Sequence, residues 1–485
     1  MGDRPVRTAR QASESYGGIP MRVSSTSVSR HTRRAVLRRI GALASSVSVL
    51  TVASTLLDAC GQLPAPRPTS TVGGAKTTFP LNLWFGQASG PYFTTLQQVL
   101  AAWTSANPQY PVKVTYDPDD IHTYSKFMTA VASGNPPDVM WFNRPGVLQW
   151  ASQNAFTDLA PYARASNIDP SDFVPVTMRQ TQWNGHLYAL PGGPDALDCR
   201  ALFANLDVLK KANINIDYIA TIADLSAAAE KLTKRSGDSF ERLGFIPWAG
   251  NWFLVGWIWN WGGHLGTGAG KDFAFNVTSA EAVAALTYMT EQARIYAPAT
   301  VTQVLSGFGT NANDPLVTGQ MPLVANFDGM VDIYRTYAPH LNYTVIPVPT
   351  PTSATKPTSW TGGFCFTIPH GAAHPEISWK LVEFLCNEDN SKTFAIEAGT
   401  LPARLALLHD SAFSGGPRRK VFAELAPGLH SWPAVPGQAE IFNQVVTDAT
   451  NNALYGKMSP KAALQQAQTE VGKYLATIPR TWWNS

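Results

Sequence analysis

Residues 81–142 open with Leu81-Asn82-Leu83-Trp84-Phe85 and close with Pro137-Asp138-Val139-Met140-Trp141-Phe142. Both ends are short apolar runs bounded by turn residues, the pattern of buried strands. Between them, Gly86-Gln87-Ala88-Ser89-Gly90-Pro91 makes a turn, and Leu96, Val99, Leu100 and Trp103 then recur at helical spacing over 93–105. Residues 112–116 alternate apolar and polar as a second strand, and 124–133 reads as a second helix. Strands that alternate with helices predict a parallel sheet covered on both faces. In such a sheet, ligands sit at the loops that follow the strands' carboxyl ends.

Upstream of this unit lies an export cassette. Thr32-Arg33-Arg34-Ala35-Val36-Leu37-Arg38 is a twin-arginine pattern, followed by an uncharged, mostly apolar run over 40–57. Leu57-Asp58-Ala59-Cys60-Gly61 then resembles a bacterial lipobox, whose cysteine is acylated and becomes the new N-terminus; Asp58 departs from the usual small or apolar residue. About 18 residues can also span a bilayer as a plain anchor, but the small residues and the placement of Cys60 favour a signal peptide over 1–59. Residues 60–78 have the Pro/Ser/Thr/Gly composition of a flexible tether. The chain's 37 Lys and Arg against 34 Asp and Glu give a formal charge of +3. Nine basic and three acidic residues precede Cys60, so the mature part is slightly acidic, with 28 basic and 31 acidic residues. Its balance argues for no nucleic-acid partner. Cys199, Cys365 and Cys386 lack metal-ligand spacing and read as buried free thiols, with one disulfide as the alternative.

Several phrases carry a family resemblance. Asn107-Pro108-Gln109-Tyr110-Pro111-Val112-Lys113-Val114, Ala132-Ser133-Gly134-Asn135-Pro136-Pro137-Asp138-Val139 and Trp183-Asn184-Gly185-His186-Leu187-Tyr188-Ala189-Leu190-Pro191 occur in order. They are followed by Leu202-Phe203-Ala204-Asn205, Gly319-Gln320-Met321, Gly362-Gly363 and His374-Pro375-Glu376-Ile377-Ser378-Trp379. Together they resemble the extracellular solute-binding proteins of ABC sugar importers, the maltose-binding-protein-like group. The resemblance implies a type II periplasmic-binding-protein-like α/β fold. Each of its two lobes would be a mostly parallel sheet flanked by helices. It would place lobe I at 79–198 and 364–390, and lobe II at 203–360 and 391–485. Hinge crossings would fall near 199–201, 362–364 and Asn390. It also implies a carbohydrate ligand, ABC permease subunits as partners, attachment to the outer face of the membrane through a lipid on Cys60, a monomeric state and no cofactor.

The strongest chemical signal apart from the resemblance is aromatic: Trp248, Trp252, Trp257, Trp259 and Trp261 fall within 14 residues. A pyranose has an apolar C–H face and a hydroxyl rim, matched by flat aromatic platforms and planar hydrogen-bonding groups. Trp257 and Trp261, four apart on a helix, read as core. Trp252, at the turn before that helix, occupies the family position of a sugar-stacking aromatic. The same mapping marks Trp84, Gln87 and Ser89 after the first strand, although Trp84 equally fits the core. It marks Phe142, Asn143 and Arg144 after the third strand; Pro145 and Gly146 stand where the maltose-binding pattern has an aspartate–arginine pair. Asp198, with Asp195 as fallback, matches an acidic residue that accepts bonds from sugar hydroxyls. Asn326, Asp328 and Gly329 follow a second-lobe strand. Trp360 with Gly362 and Gly363 marks a crossing where ligand would approach backbone, and Arg404 follows a loop of the family pattern. A solvated or capping role is the competing reading for each polar residue.

Catalytic signatures are weak. No His-Glu-x-x-His is present, Ser89 stands one residue late for a nucleophile elbow, and Leu265 and Asp272 break a phosphate-loop pattern. Asp117, Asp119 and Asp120 read as a solvated turn; a glycosidase would need two carboxylates across a cleft. The alternatives to a saccharide receptor are a cell-surface glycan hydrolase and a receptor for a non-sugar solute. A polyamine would call for acidic residues among the aromatics, and ferric iron for clustered tyrosines or histidines.

Overall fold

A computed structural model describes residues 78–117, 124–268, 272–411, 416–438 and 440–481. The export cassette, Cys60, the tether up to residue 77, and Asp119 and Asp120 lie outside these residues. From Thr78 onward the chain forms one compact unit. No helix among the described residues is long and apolar enough to cross a membrane.

Two sheets organise this unit. The first is built from β1 (Leu81–Phe85), β2 (Val112–Tyr116), β3 (Val139–Asn143), β4 (Ala189–Pro191) and β8 (Phe364–Thr367), in the order β2-β1-β3-β8-β4. β1 pairs parallel with β2 and β3, whereas β8 runs antiparallel to β3 and β4. Side chains alternate across the pleat, which splits the core in two. Leu81, Leu83, Phe85, Val139 and Trp141 join Leu96, Val99 and Trp103 of helix α1 (Gly90–Ala106). Trp84, Met140 and Phe142 face the other way, onto Tyr124 and onto Phe127 of helix α2 (Ser125–Ala132). Fully burying each large apolar side chain contributes about 1.5–3 kcal/mol. Pro91 sits in the first turn of α1, where its missing N–H costs no hydrogen bond.

The second sheet, ordered β6-β5-β7, comprises β5 (Arg200–Asn205), β6 (Leu323–Phe327) and β7 (Tyr343–Ile346). It departs from the parallel pattern: both edge strands run antiparallel to the central β5. Leu202 and Ala204 enter one core with Trp252 and with Trp257 of helix α3 (Phe253–Asn260). Ala201 and Phe203 enter the other, with Tyr334, Tyr343 and Phe422.

The chain passes between the sheets just before β5 and just before β8. Around the third expected crossing, Asn390, the two cores interleave. Helix Glu388–Glu397 carries Phe394 into the first sheet's core and Ala395 into the second's, and beyond it Leu401, Leu407 and Leu408 enter the second core while Ala403 enters the first. Cys199, Cys365 and Cys386 are buried and unpaired.

Candidate functional site

The three parallel strands of the first sheet end side by side, and their carboxyl ends frame a small cavity of about 10 Å³. It is lined by Trp84 and Gly86 of the β1 end, Asp117 beyond β2, Tyr124, and Trp141 and Asn143 of β3. A backbone hydrogen bond of 3.1 Å from Asp117 to Phe85 fixes Asp117 at the end of β1. Asp117 is only 5% exposed. Its Oδ1 accepts from Lys126 Nζ at 2.9 Å, and that ammonium also lies 4.4 Å above the Trp84 ring. Three buried polar atoms on the lining residues have no partner: Trp84 Nε1, Trp141 Nε1 and Asp117 Oδ2. Buried polar groups are normally hydrogen-bonded, yet the residues that line this cavity carry two donors and an acceptor without partners. The cavity holds about one water-sized group; anything larger must extend outside it. Trp141 stacks on half-buried Phe364 at 3.7 Å and meets Tyr92 edge-on at 6.5 Å, extending an aromatic wall from the cavity. Tyr92 of α1 also reaches the far sheet: a Cβ on Gly329 would lie 3.1 Å from its hydroxyl.

Where the chain crosses between sheets, charged side chains form a buried knot. Arg144 is fully buried, and its Nε and Nη2 donate to Gln180 Oε1 and Thr361 Oγ1, both at 2.8 Å. It also donates to the carbonyls of Ala196 and Gly362. Asp198 pairs with Arg200 at 2.9 Å and accepts from the Gly363 N–H at 3.1 Å. The Arg200 guanidinium lies 3.4 Å above the Trp360 ring. Asp328 accepts from the backbone N–H groups of Cys199 and Leu401 at 2.8 and 2.7 Å. Carboxylate oxygens of Asp195, Asp198 and Asp328 lie within 4.8 Å of one another, close enough to share a cation. The two guanidiniums supply positive charge that such an ion would otherwise bring. Burial, reinforced by the charge of Asp198, pushes Asp328 up to about 7. Burial and the other two carboxylates raise Asp195 well above the usual range, and burial raises Asp198. Burial lowers Arg144 to about 10, which leaves it protonated at neutral pH.

The sequence candidates therefore separate into groups. Trp84 and Asn143 line the cavity, with half-buried Gln87 and exposed Ser89 on the loop beyond Trp84. Phe142 points into the core beneath, stacked on Tyr124 at 4.1 Å. Arg144, Asp198 and Asp328 belong to the knot, with their bonding capacity turned inward. Gly362 and Gly363 pack closely against the same knot. A Cβ on Gly362 would lie 2.8 Å from Asp198 Oδ2, and one on Gly363 (φ +80°) would lie 2.8 Å from the Asp195 carbonyl. Trp360 is 2% exposed beneath Arg200. Asn326 accepts from Asn251 at 2.7 Å. Arg404 bonds the Cys386 carbonyl at 3.0 Å and stacks on Phe173, a packing role.

Trp252 is buried in the core rather than presented at a surface. It is 1% exposed, and its indole is packed on Gly256 so closely that a Cβ there would lie 2.9 Å away. The aromatic its turn leaves half-buried is the next residue, Phe253, held at φ +56° and set 5.8 Å from Trp360. Asp117 is the main residue the sequence reading missed. Asp-Pro-Asp-Asp looks like a solvated turn, and only the alternation of β2, which ends at residue 116, hints that 117 sits at a strand end.

Comparison with known proteins places this geometry. Residues 98–419 match the family model described as bacterial extracellular solute-binding protein. A maltooligosaccharide ABC transporter solute-binding lipoprotein of Streptococcus pneumoniae is 23% identical over 363 residues, covering 74% of this chain and 79% of that one. Among solved structures, CpMnBP1 with mannotriose bound superposes with a TM-score of 0.70 at 24% identity, covering 81% of this chain and 99% of that one. The GacH receptor of Streptomyces glaucescens, solved unliganded and with acarbose, gives 0.68 at 20% identity, covering 83% and 100%. The fold is thus the two-lobed type II periplasmic-binding architecture, one lobe on each sheet, and the chain belongs to the bacterial extracellular solute-binding proteins.

Proposed function

We propose that this protein captures a saccharide between its lobes and hands it, chemically unchanged, to the permease of an ABC importer. The observation that carries the reading is the cavity at the carboxyl ends of β1–β3. Its lining residues carry two indole donors and a carboxylate acceptor without partners, beside the aromatic wall of Trp141, Phe364 and Tyr92. A sugar's hydroxyl rim needs donors and acceptors together, and its C–H face needs flat rings. One hydroxyl or hydroxymethyl group would fill the cavity while the ring lies against Phe364. Phe253 and half-buried Trp432, both flanking Trp360, would supply the opposing wall from the second lobe. Closure would pivot at the crossings, where the knot of Arg144, Arg200 and three aspartates holds three segments together. This is hinge motion around a ligand.

A binding role without turnover is supported by the carboxylates themselves. Asp195, Asp198 and Asp328 are buried together, with Asp198 and Asp328 committed to Arg200 and backbone N–H groups. A glycosidase pair flanks the scissile bond instead. Relatives are named as transporter lipoproteins, which supports an exported protein tethered outside the membrane through lipid on Cys60; we take it to act as a monomer. Mass spectrometry of the membrane form would test this: unmodified Cys60 would rule out the anchor. The function is tested by titrating the purified protein with a saccharide panel and recovering the bound sugar. Saturable binding of one class, recovered intact, is expected. Hydrolysis of the sugar, or binding to none of the panel, would overturn the proposal.

A further inference from the structure

The tryptophan-rich run is only partly absorbed by the core. Trp261, just after α3, is half-buried and forms one wall of a separate groove of about 700 Å³. None of the groove's lining residues belongs to the cavity or the knot. The indole is held in place by neighbours: Trp257 lies edge-on at 6.1 Å and Tyr288 at 5.5 Å, both buried. The floor is one face of helix α4 (Ala280–Tyr296), through the small side chains of Val283 and Ala284. The rim is polar. Thr287 follows on the same helix face, Thr278 precedes the helix, and Glu291 and Lys461 stand exposed at the edge, neither in an ion pair among the described residues.

This chemistry narrows the occupant. An apolar helix would need a continuous apolar stripe, which the threonines and charges interrupt. A polyanion would need excess positive charge, whereas here one carboxylate balances one ammonium. A rigid indole beside hydroxyls, an uncommitted acceptor and an uncommitted donor matches a sugar ring, and the volume falls in the range of small-molecule sites. We propose that this groove is a second saccharide site, independent of the cleft, which takes a neutral oligosaccharide with Trp261 as its platform. It would let the tethered protein hold a chain at its surface while the cleft takes a shorter piece.

The test uses calorimetric titration of the wild type, Asp117→Asn and Trp261→Ala against neutral glucan, mannan and galactan oligosaccharides, with indole NMR signals followed in parallel. Binding is expected to persist in Asp117→Asn through the groove, and to weaken at least about tenfold, or 1.4 kcal/mol, when Trp261→Ala is added. Trp261→Phe should restore part of it. If Trp261→Ala does not fold, the exposed pair Glu291→Ala and Lys461→Ala replaces it, with the same expected loss. Absence of any binding that depends on Trp261 or this pair, across the panel, would overturn the proposal. So would Trp261-dependent self-association of the protein in sedimentation. A failed cleft reading would show differently, as binding unaffected by Asp117→Asn and wholly dependent on Trp261.

Discussion

Replacing Arg144 with methionine removes the centre of the hinge knot and little of its volume. In the native protein the guanidinium donates to Gln180 Oε1, Thr361 Oγ1 and the carbonyls of Ala196, Gly362 and Phe364, five acceptors from three stretches of chain. Its charge also faces Asp195 and Asp198. Each buried acceptor left open costs about 1–3 kcal/mol, and removing one partner from a buried charged set costs about 3–5 kcal/mol. These overlap, since water and relaxation would recover part of the loss, so a net destabilisation of about 3–5 kcal/mol is expected. Equilibrium urea unfolding at neutral pH would measure it. Adding Asp195→Asn should recover part of the loss, because the neutral amide no longer needs the guanidinium's charge. A loss below about 1 kcal/mol, the level of an exposed ion pair, would refute the view that Arg144 organises the crossings.

Other consequences follow from the same residues. Asp328, Asp195 and Asp198 all have folded-state pKa values above the ordinary carboxylate range. The fold therefore favours their protonated forms, and their contribution to stability is full at low pH and lost as pH rises, that of Asp328 as pH passes about 7. Asp195→Asn should flatten that decline, seen as a smaller stability difference between pH 5 and pH 8 in urea unfolding. Trp252→Ala should cost about 3–5 kcal/mol through a core cavity while leaving saccharide affinity of the folded protein within a few-fold. Loss of binding with stability intact would restore Trp252 as a platform. Gly363→Ala, at φ +80° and 2.8 Å from the Asp195 carbonyl, should lose at least about 1 kcal/mol, again read by unfolding.

Local periodicity made the first sheet legible. Each of β1, β2 and β3 is bounded by its own turn residues, and the alternation that sends Leu83 and Trp84 to opposite faces is visible in five residues. The second sheet was harder to read: whether β6 and β7 run parallel or antiparallel to β5 depends on long-range pairing that no window contains. The site was partly legible. Trp84 and Asn143 follow from strand ends alone. Asp117 does not, because its burial is created by the pairing of β1 with β2 and by Lys126 folding over Trp84. The internal partners of Arg144 and Asp198 were not legible, since charge in a loop cannot reveal which partner will satisfy it. For Trp252 the legible signal is Gly256, one helical turn later, which leaves room for an indole to lie flat on the helix.

The most direct measurement is calorimetric titration of the wild type, Trp84→Ala and Asp117→Asn with a saccharide that the wild type binds. Asp117 would give a charged hydrogen bond to a sugar hydroxyl, a contact of about 1.5–3 kcal/mol. The account expects the asparagine variant to remain folded and to bind about ten- to a hundredfold more weakly, with Trp84→Ala weaker still. Unchanged affinity in both folded variants would contradict the claim that the saccharide is anchored at the carboxyl ends of the first sheet.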